Sequence, residues 1–254
     1  AQIAKAAEVE EEFVRAALDP EESSRVDTED EQLLMIVDIP MVEKSSVEDG
    51  GQLFSTIPMG IVVAKSAVIT VCLEDSIILR SIAEGAVKGV HTALRTRFVF
   101  QILLRIAGRF LKNLRMIERD FTRIEKRLYD SLKNEELIQL LGLSKSLVYF
   151  SSSLKGNEVT MEKVLRGRVL KLYEDDRDIL EDALIEVRQA IEMANIYSNI
   201  MAGTMDAYAS VVSNNLNIIM KVLTILTIIM TIPNIVFGFF GMNIGEGNIP
   251  GDWV

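Results

Sequence analysis

From Val222 to Phe240 the chain runs for 19 residues without a charged side chain, VLTILTIIMTIPNIVFGFF. That stretch constrains the fold more than any other, because about 20 mostly apolar residues in a helix match the hydrocarbon thickness of a bilayer. Lipid offers no hydrogen bonds to the backbone, so a single segment of this kind has to be helical. Lys221 stands at its N-terminal edge and Lys and Arg are frequent upstream, whereas beyond Gly241 the only charges are Glu246 and Asp252. The positive-inside rule then puts the N-terminal bulk in the cytoplasm of a cell (inner or plasma) membrane and Gly241-Met242-Asn243 outside. The competing reading is a buried core helix of a soluble protein, which a run of this length disfavours.

No strong helix breaker occurs between about Arg168 and Phe240 except Pro233, and Gly203 is the one interior glycine before it. One very long helix is predicted, roughly 100 Å at 1.5 Å per residue. That exceeds any small domain, so the helix is expected to connect compartments or line an assembly axis. Heptad steps along it pick out Asp206, Ser213, Met220, Thr227, Asn234 and Gly241, and an interleaved line of Ser210, Asn217, Thr224, Thr231 and Gly238. Merged, the spacing alternates between four and three, like the seam of a coiled coil, where Leu, Ile or Val would be expected. Here all but Met220 are polar or small, and Ile218, Ile219, Val222, Leu223, Ile225, Leu226, Ile228 and Ile229 fall elsewhere around the helix.

A polar stripe in a lipid-spanning helix should face a protein interior or a water-filled path. Parallel copies around an axis would turn it into a pore lining; close helix packing through small residues is the alternative. Asn234 and Thr231 inside the apolar run, with Asp206 on the same face, favour the pore. Magnesium sheds water reluctantly and prefers oxygen, so hydroxyls, amides and carbonyls that hydrogen-bond its waters suit it, and rings of such groups build selectivity. Met220, with Leu223 nearby, would make a narrower apolar point that gates by dewetting.

Upstream, the first thirty residues read as a helix fragment followed by an acidic turn. Leu33 to Ile39 reads as a strand stopped by Pro40, Glu43 to Gln52 as a loop, and Ile57 to Val63 with Ala67 to Leu73 as a hairpin. From Phe98 the period changes: Leu103, Ile106, Phe110, Leu114, Ile117, Phe121, Ile124 and Leu128 mark an amphipathic helix. A second helix is predicted from about Asn134, a candidate N-cap, to about Ser153, with a turn over 151–160 around Gly156-Asn157. The fold class expected is an α+β domain with a helical hairpin and a very long helix that continues into the membrane. The expected divisions are 1–95, 96–160, 161–220, 221–240 and 241–254.

Composition narrows the functions. Asp and Glu (37) exceed Lys and Arg (27), for a net charge of -10, which argues against a nucleic-acid partner and suits a surface that attracts cations. One Cys, Cys72, and one His, His91, exclude an intramolecular disulfide and the usual Cys/His zinc site. Cys72 is expected in the core and His91 at the surface, and Trp253 would anchor at a membrane interface. No phosphate-binding Gly-rich loop and no nucleophile–base–acid set is present, so a pump or hydrolase has no support.

The order Asn217-Ile-Ile-Met220-Lys-Val-Leu-Thr-Ile-Leu, then Pro233, then Phe240-Gly241-Met242-Asn243 resembles the CorA family of magnesium and cobalt transporters. The resemblance is strongest from about Asp206 to Asn243 and touches nearly the whole chain; Phe240 and Ile244 stand where the family often has Tyr and Phe. It implies a funnel-shaped homopentamer in a lipid bilayer that admits Mg2+, often Co2+ or Ni2+, down the electrochemical gradient. Each subunit would have a cytosolic α/β domain, a helical hairpin, a long stalk helix running into the first membrane helix, and a second membrane helix, which is missing up to Val254. Gly241, Met242 and Asn243 match the external motif that receives the hydrated ion. Asn234, Gly238, Thr224, Met220, Asn217 and Asp206 match pore-facing positions. The family also senses intracellular Mg2+ at acidic sites between cytosolic domains. Asp182 lies at the matching stalk position, but Val14-Arg15-Ala16 stand where a Leu-Glu-Asp motif is usual, leaving Asp19, Glu21 or Glu22 as other carboxylates. Most of the cluster Glu174, Asp175, Asp176, Asp178, Glu181 and Asp182 reads as a solvated helix face. A relative that carries Zn2+, Co2+ or Ni2+, and a non-conducting membrane-anchored metal-sensing scaffold, stay open as alternatives.

Overall fold

The computed structural model describes residues 4–5, 7–29, 31–43, 52–65, 67–87, 89–130, 134–167, 170 and 173–241, the side chains of 129, 130 and 134 excepted. The elements are α1 (Glu11–Ala16), β1 (Arg25–Glu29), β2 (Gln32–Glu43), β3 (Leu53–Val63), β4 (Val68–Cys72), α2 (Ile77–Ala83), α3 (Arg95–Asp130), α4 (Asn134–Leu165) and α5 (Glu174–Gly241). The chain divides into two compact units, Ala1–Ala202 and Gly203–Val254.

In the first unit the four strands form one antiparallel sheet in the order β1-β2-β3-β4. β2 is buried on both faces, which is why its sequence, LLMIV, is continuously apolar rather than alternating. Its even face, Leu34 and Ile36, joins Val62, Val9 and Phe13 in a cluster under α1. Gly60 lies there too: a Cβ on it would stand 2.5 Å from the Cβ of the buried Ala17. The odd residues Leu33, Met35, Val37 and Ile39 are buried as well, and α3 and α4 pack on β2 and β3. The α3 stripe is buried as its period predicts, from Leu103 to Leu128, with Phe121 only half-buried. Phe150 of α4 meets Phe110 of α3 edge-on at 5.0 Å and Phe54 of β3 at 6.1 Å, so one aromatic chain joins the three elements.

Four expectations are corrected. Pro40 does not stop the strand: β2 runs on to Glu43 and pairs Pro40 with Thr56. The reason is ladder parity. Asp38 N donates to Asn157 Oδ1 at 2.8 Å, so it points away from β3, and alternation gives Pro40 the same direction. β1 ends its pairing at Ile36, so a missing N–H at Pro40 costs no ladder bond. The acidic stretch after α1 contains a strand, β1, whose RVDTE sequence is polar because it stands at the sheet edge.

The predicted turn over 151–160 is helical, inside α4. Asn157 stays in the helix because its side chain is used elsewhere: it accepts from Asp38 N and donates to Asp38 O, both at 2.8 Å. Gly156 supplies room beside it, since a Cβ there would lie 3.1 Å from Ser24 Oγ. On the other flank of the two-stranded region, Phe54 N donates to Ser146 Oγ at 3.0 Å. α4 thus satisfies the outer edges of β2 and β3 where β1 and β4 no longer reach. Burial pushes the Asp38 carboxyl above its ordinary value, with hydrogen bonds from Ser153 and Ser24 opposing. The β3–β4 hairpin forms as expected. Cys72 is half-buried rather than core, its thiol pushed up chiefly by burial, and His91 is exposed. The loop expected over 43–52 lies, for residues 44–51, outside the described residues.

Candidate ion-conducting face

α5 is a single helix of 68 residues, Glu174–Gly241, with Pro233 inside it. Its part in the second unit, Gly203 to Gly241, carries no buried residue. Ile225, Leu226, Ile228, Ile229, Ile232 and Ile235 are all exposed. This helix is long and apolar enough to cross a membrane, and no part of its most apolar window is buried within the chain.

Asp206, Ser210, Ser213, Asn217, Met220, Thr224, Thr227, Thr231, Asn234, Gly238 and Gly241 all lie in the helix and all are exposed. A strict seven-residue repeat drifts by about 20° per heptad on a straight helix, so the stripe winds slowly rather than scattering. Leu223, paired with Met220 in the expected gate, is likewise exposed. Met242, Asn243 and Trp253 lie outside the described residues.

Spacing did not reveal how the hydroxyls on this face are used. Ser210 Oγ donates to Asp206 O at 3.1 Å, Thr224 Oγ1 to Met220 O at 2.8 Å, Thr227 Oγ1 to Leu223 O at 2.8 Å, and Thr231 Oγ1 to Thr227 O at 2.7 Å. Each proton is therefore committed to the helix, which removes the cost of an unpaired donor in an apolar setting. Each oxygen keeps its lone pairs as acceptors. A hydrated cation presents water hydrogens, so a column of acceptors is what its outer surface needs.

The acidic positions of the first unit are placed differently. Asp182 is exposed on α5, as are Glu174, Asp175 and Asp178, while Asp176 is buried and 3.7 Å from Arg97. One turn on from Asp182, burial and then the charge of Asp182 raise the Glu186 carboxyl, with Arg105 and Arg115 opposing. Among the described residues no three His, Cys, Asp or Glu side chains come together as a metal site.

Comparison with known proteins bears on the same residues. The family described as CorA-like Mg2+ transporter protein matches residues 1–253. The chain is 26% identical over 239 residues to a cobalt/magnesium transport protein CorA of Methanocaldococcus jannaschii, covering 91% of this chain and 71% of that protein. It is 32% identical over 110 residues to a protein of the same description from Thermotoga maritima, covering 39% of this chain and 31% of that one. The complete structure of the CorA magnesium transporter from M. jannaschii superposes with a TM-score of 0.84 at 23% identity, over 97% of this chain and 77% of that chain, which shows a shared fold. Because the match runs over residues 1–253, the chain belongs to the CorA family of Mg2+ transporter proteins, whose members are transporters and not enzymes.

Proposed function

We propose that this chain is one subunit of a divalent-cation channel that admits Mg2+ as a hydrated ion through a central pore between five copies, with its N-terminal unit in the cytoplasm. The observation that carries the reading is the acceptor-rich face of α5 on a helix whose remaining surface is apolar and exposed. Lipid suits the apolar surface, and a wet axis suits the stripe. Membership of a Mg2+ transporter family supports the choice of cargo.

The roles follow from position. Gly241, Met242 and Asn243 receive the ion at the outer mouth, where an amide and backbone oxygens hold its waters without stripping them. Gly238 and Asn234 lie next along the face, then Thr231, Thr224 and Asn217. Met220 with Leu223 narrows the path to an apolar point that closes by dewetting. Asp206 places a carboxylate on the same face below the gate, and its charge concentrates cations there. Lys221 marks the cytoplasmic edge of the membrane.

Ion uptake into liposomes bearing the full-length protein tests this. Mg2+ influx that disappears with Asn243→Ala is expected. Well-assembled protein that passes no divalent cation would favour a membrane-anchored scaffold instead. Uptake of Zn2+, Co2+ or Ni2+ in preference to Mg2+ would change the cargo while leaving the path intact.

A further inference from the structure

A cleft of about 990 Å3 lies beside β2 and β3, with Pro40, Met41, Ile57 and Ile78 among its walls, Arg109 of α3 reaching it, and Ser76 at the start of α2. It adjoins the length of β3 that β4 does not pair. Its polar groups are left in an unusual state. Arg109 is half-buried and has no ion pair or hydrogen bond among the described residues. Ser76 is 3% exposed, its Oγ has no partner among the described residues, and it makes no capping bond to α2. Buried polar groups are nearly always paired, and a half-buried guanidinium without a counter-charge is costly. The carboxylates of the same cleft do not serve Arg109. Asp75 is paired with Arg80, while Glu43 and Glu74 are exposed. Ser76 and half-buried Arg109 are therefore the inner donors, while the exposed rim carries Glu43, Glu74 and the Asp75–Arg80 pair, a net negative charge.

We propose that this cleft binds an aliphatic amino acid as its zwitterion. The ligand carboxylate takes a two-pronged hydrogen bond from Arg109 and a further one from Ser76 Oγ–H. The ammonium group turns outward to Glu43 and Glu74. The aliphatic chain lies on Pro40, Met41, Ile57 and Ile78, which removes apolar surface from water. The volume falls within the range of about 300–1,000 Å3 typical of small-molecule sites. A dianion would set its second charge against Glu43 and Glu74, and a simple cation would leave Arg109 unpaired.

Isothermal titration of L-leucine into the purified full chain tests the proposal by binding alone, separately from ion flux. One saturable site per chain is expected. Arg109→Gln should weaken binding at least about tenfold, Arg109→Lys less so, and Ser76→Ala by an intermediate factor. 4-Methylpentanoate, which lacks the ammonium group, should bind more weakly than L-leucine and be indifferent to Glu74→Gln, which weakens L-leucine. Circular dichroism checks that each variant is folded, and Arg109→Lys keeps the charge if the glutamine variant is not. No saturable heat with L-leucine, binding untouched by Arg109→Lys and Ser76→Ala together, or succinate binding as well as L-leucine would each overturn the assignment.

Discussion

α3 and the Gly203–Gly241 part of α5 are both helices rich in Leu, Ile and Phe, and they meet opposite fates. Ile102, Leu103, Ile106, Phe110, Leu114 and Ile117 of α3 are buried by the chain's own strands and helices. Ile225, Leu226, Ile228, Ile229 and Ile232 of α5 are left bare. The polar groups divide the same way. In the first unit some reach across elements, as Asn157 does to Asp38, and Ser146, whose Oγ donates to Gly142 O, still accepts from Phe54 N. On the Gly203–Gly241 helix the serine and threonine hydroxyls turn back to the carbonyl one turn behind. The first unit thus buries its apolar side chains within its own sequence, whereas the helix beyond it leaves them exposed; in the proposed function lipid covers one surface and water and ions meet the other.

The comparison can be broken by making one change in both places. Ile106→Ala opens a cavity in a fully buried site and should cost about 2–5 kcal/mol in denaturant unfolding of the first unit. Ile228→Ala, on a surface the chain does not cover, should stay within about 1 kcal/mol. Equal losses would mean that the apolar surface of α5 is covered by protein as tightly as a core. A smaller effect is expected from Asn157→Ala, which removes three hydrogen bonds, those with Asp38 N, Asp38 O and Ser24 Oγ, and strands the N–H and C=O of Asp38. A loss of about 2–3 kcal/mol is predicted, measurable as a fall in denaturation midpoint.

Met220→Ser sharpens the account of α5 itself. Wetting the narrow point should lower the barrier by about 1 kcal/mol, roughly fivefold in resting Mg2+ leak. Unchanged flux would remove Met220 from the gate.

The smallest effect concerns pH. Burial raises the Asp38 carboxyl in the folded chain, so below its ordinary value of 3.8 the group favours folding in full. That advantage is lost as pH rises through the raised folded value. Asp38→Asn should therefore gain stability relative to the parent as pH rises just above 3.8, then level off. A gain that instead grows as pH falls would reverse the assignment. Hydrogen bonds from Ser153 and Ser24 oppose the effect of burial, and neither serine titrates.

What could be read from sequence divides along the same line. The α3 stripe and the length of α5 were legible because a period of 3.6 residues persists for many turns. The stripe of Asn217, Thr224 and Asn234 was legible because polar residues inside an apolar run stand out against it. β1 was not, since an edge strand reading RVDTE has no apolar alternation to display. Pro40 and Gly156-Asn157 misled for a shared reason. Each looks like a breaker in isolation, and each is accommodated by a partner more than a hundred residues away: Asn157 covers the strand edge beside Pro40, and Asp38 with Ser24 occupies Asn157 and Gly156. The return of the threonine hydroxyls to the backbone is likewise a matter of rotamer, which no spacing encodes.

The central claim is that one face of α5 meets water while its other faces meet lipid. Cys72 is the one native cysteine, so Cys72→Ser provides a silent background for single substitutions. Labelling with a membrane-impermeant thiol reagent in proteoliposomes should modify Thr224→Cys, Thr231→Cys and Asn234→Cys and spare Ile225→Cys, Ile228→Cys and Ile235→Cys. Labelling that ignores this alternation, or that favours the isoleucine positions, would contradict it.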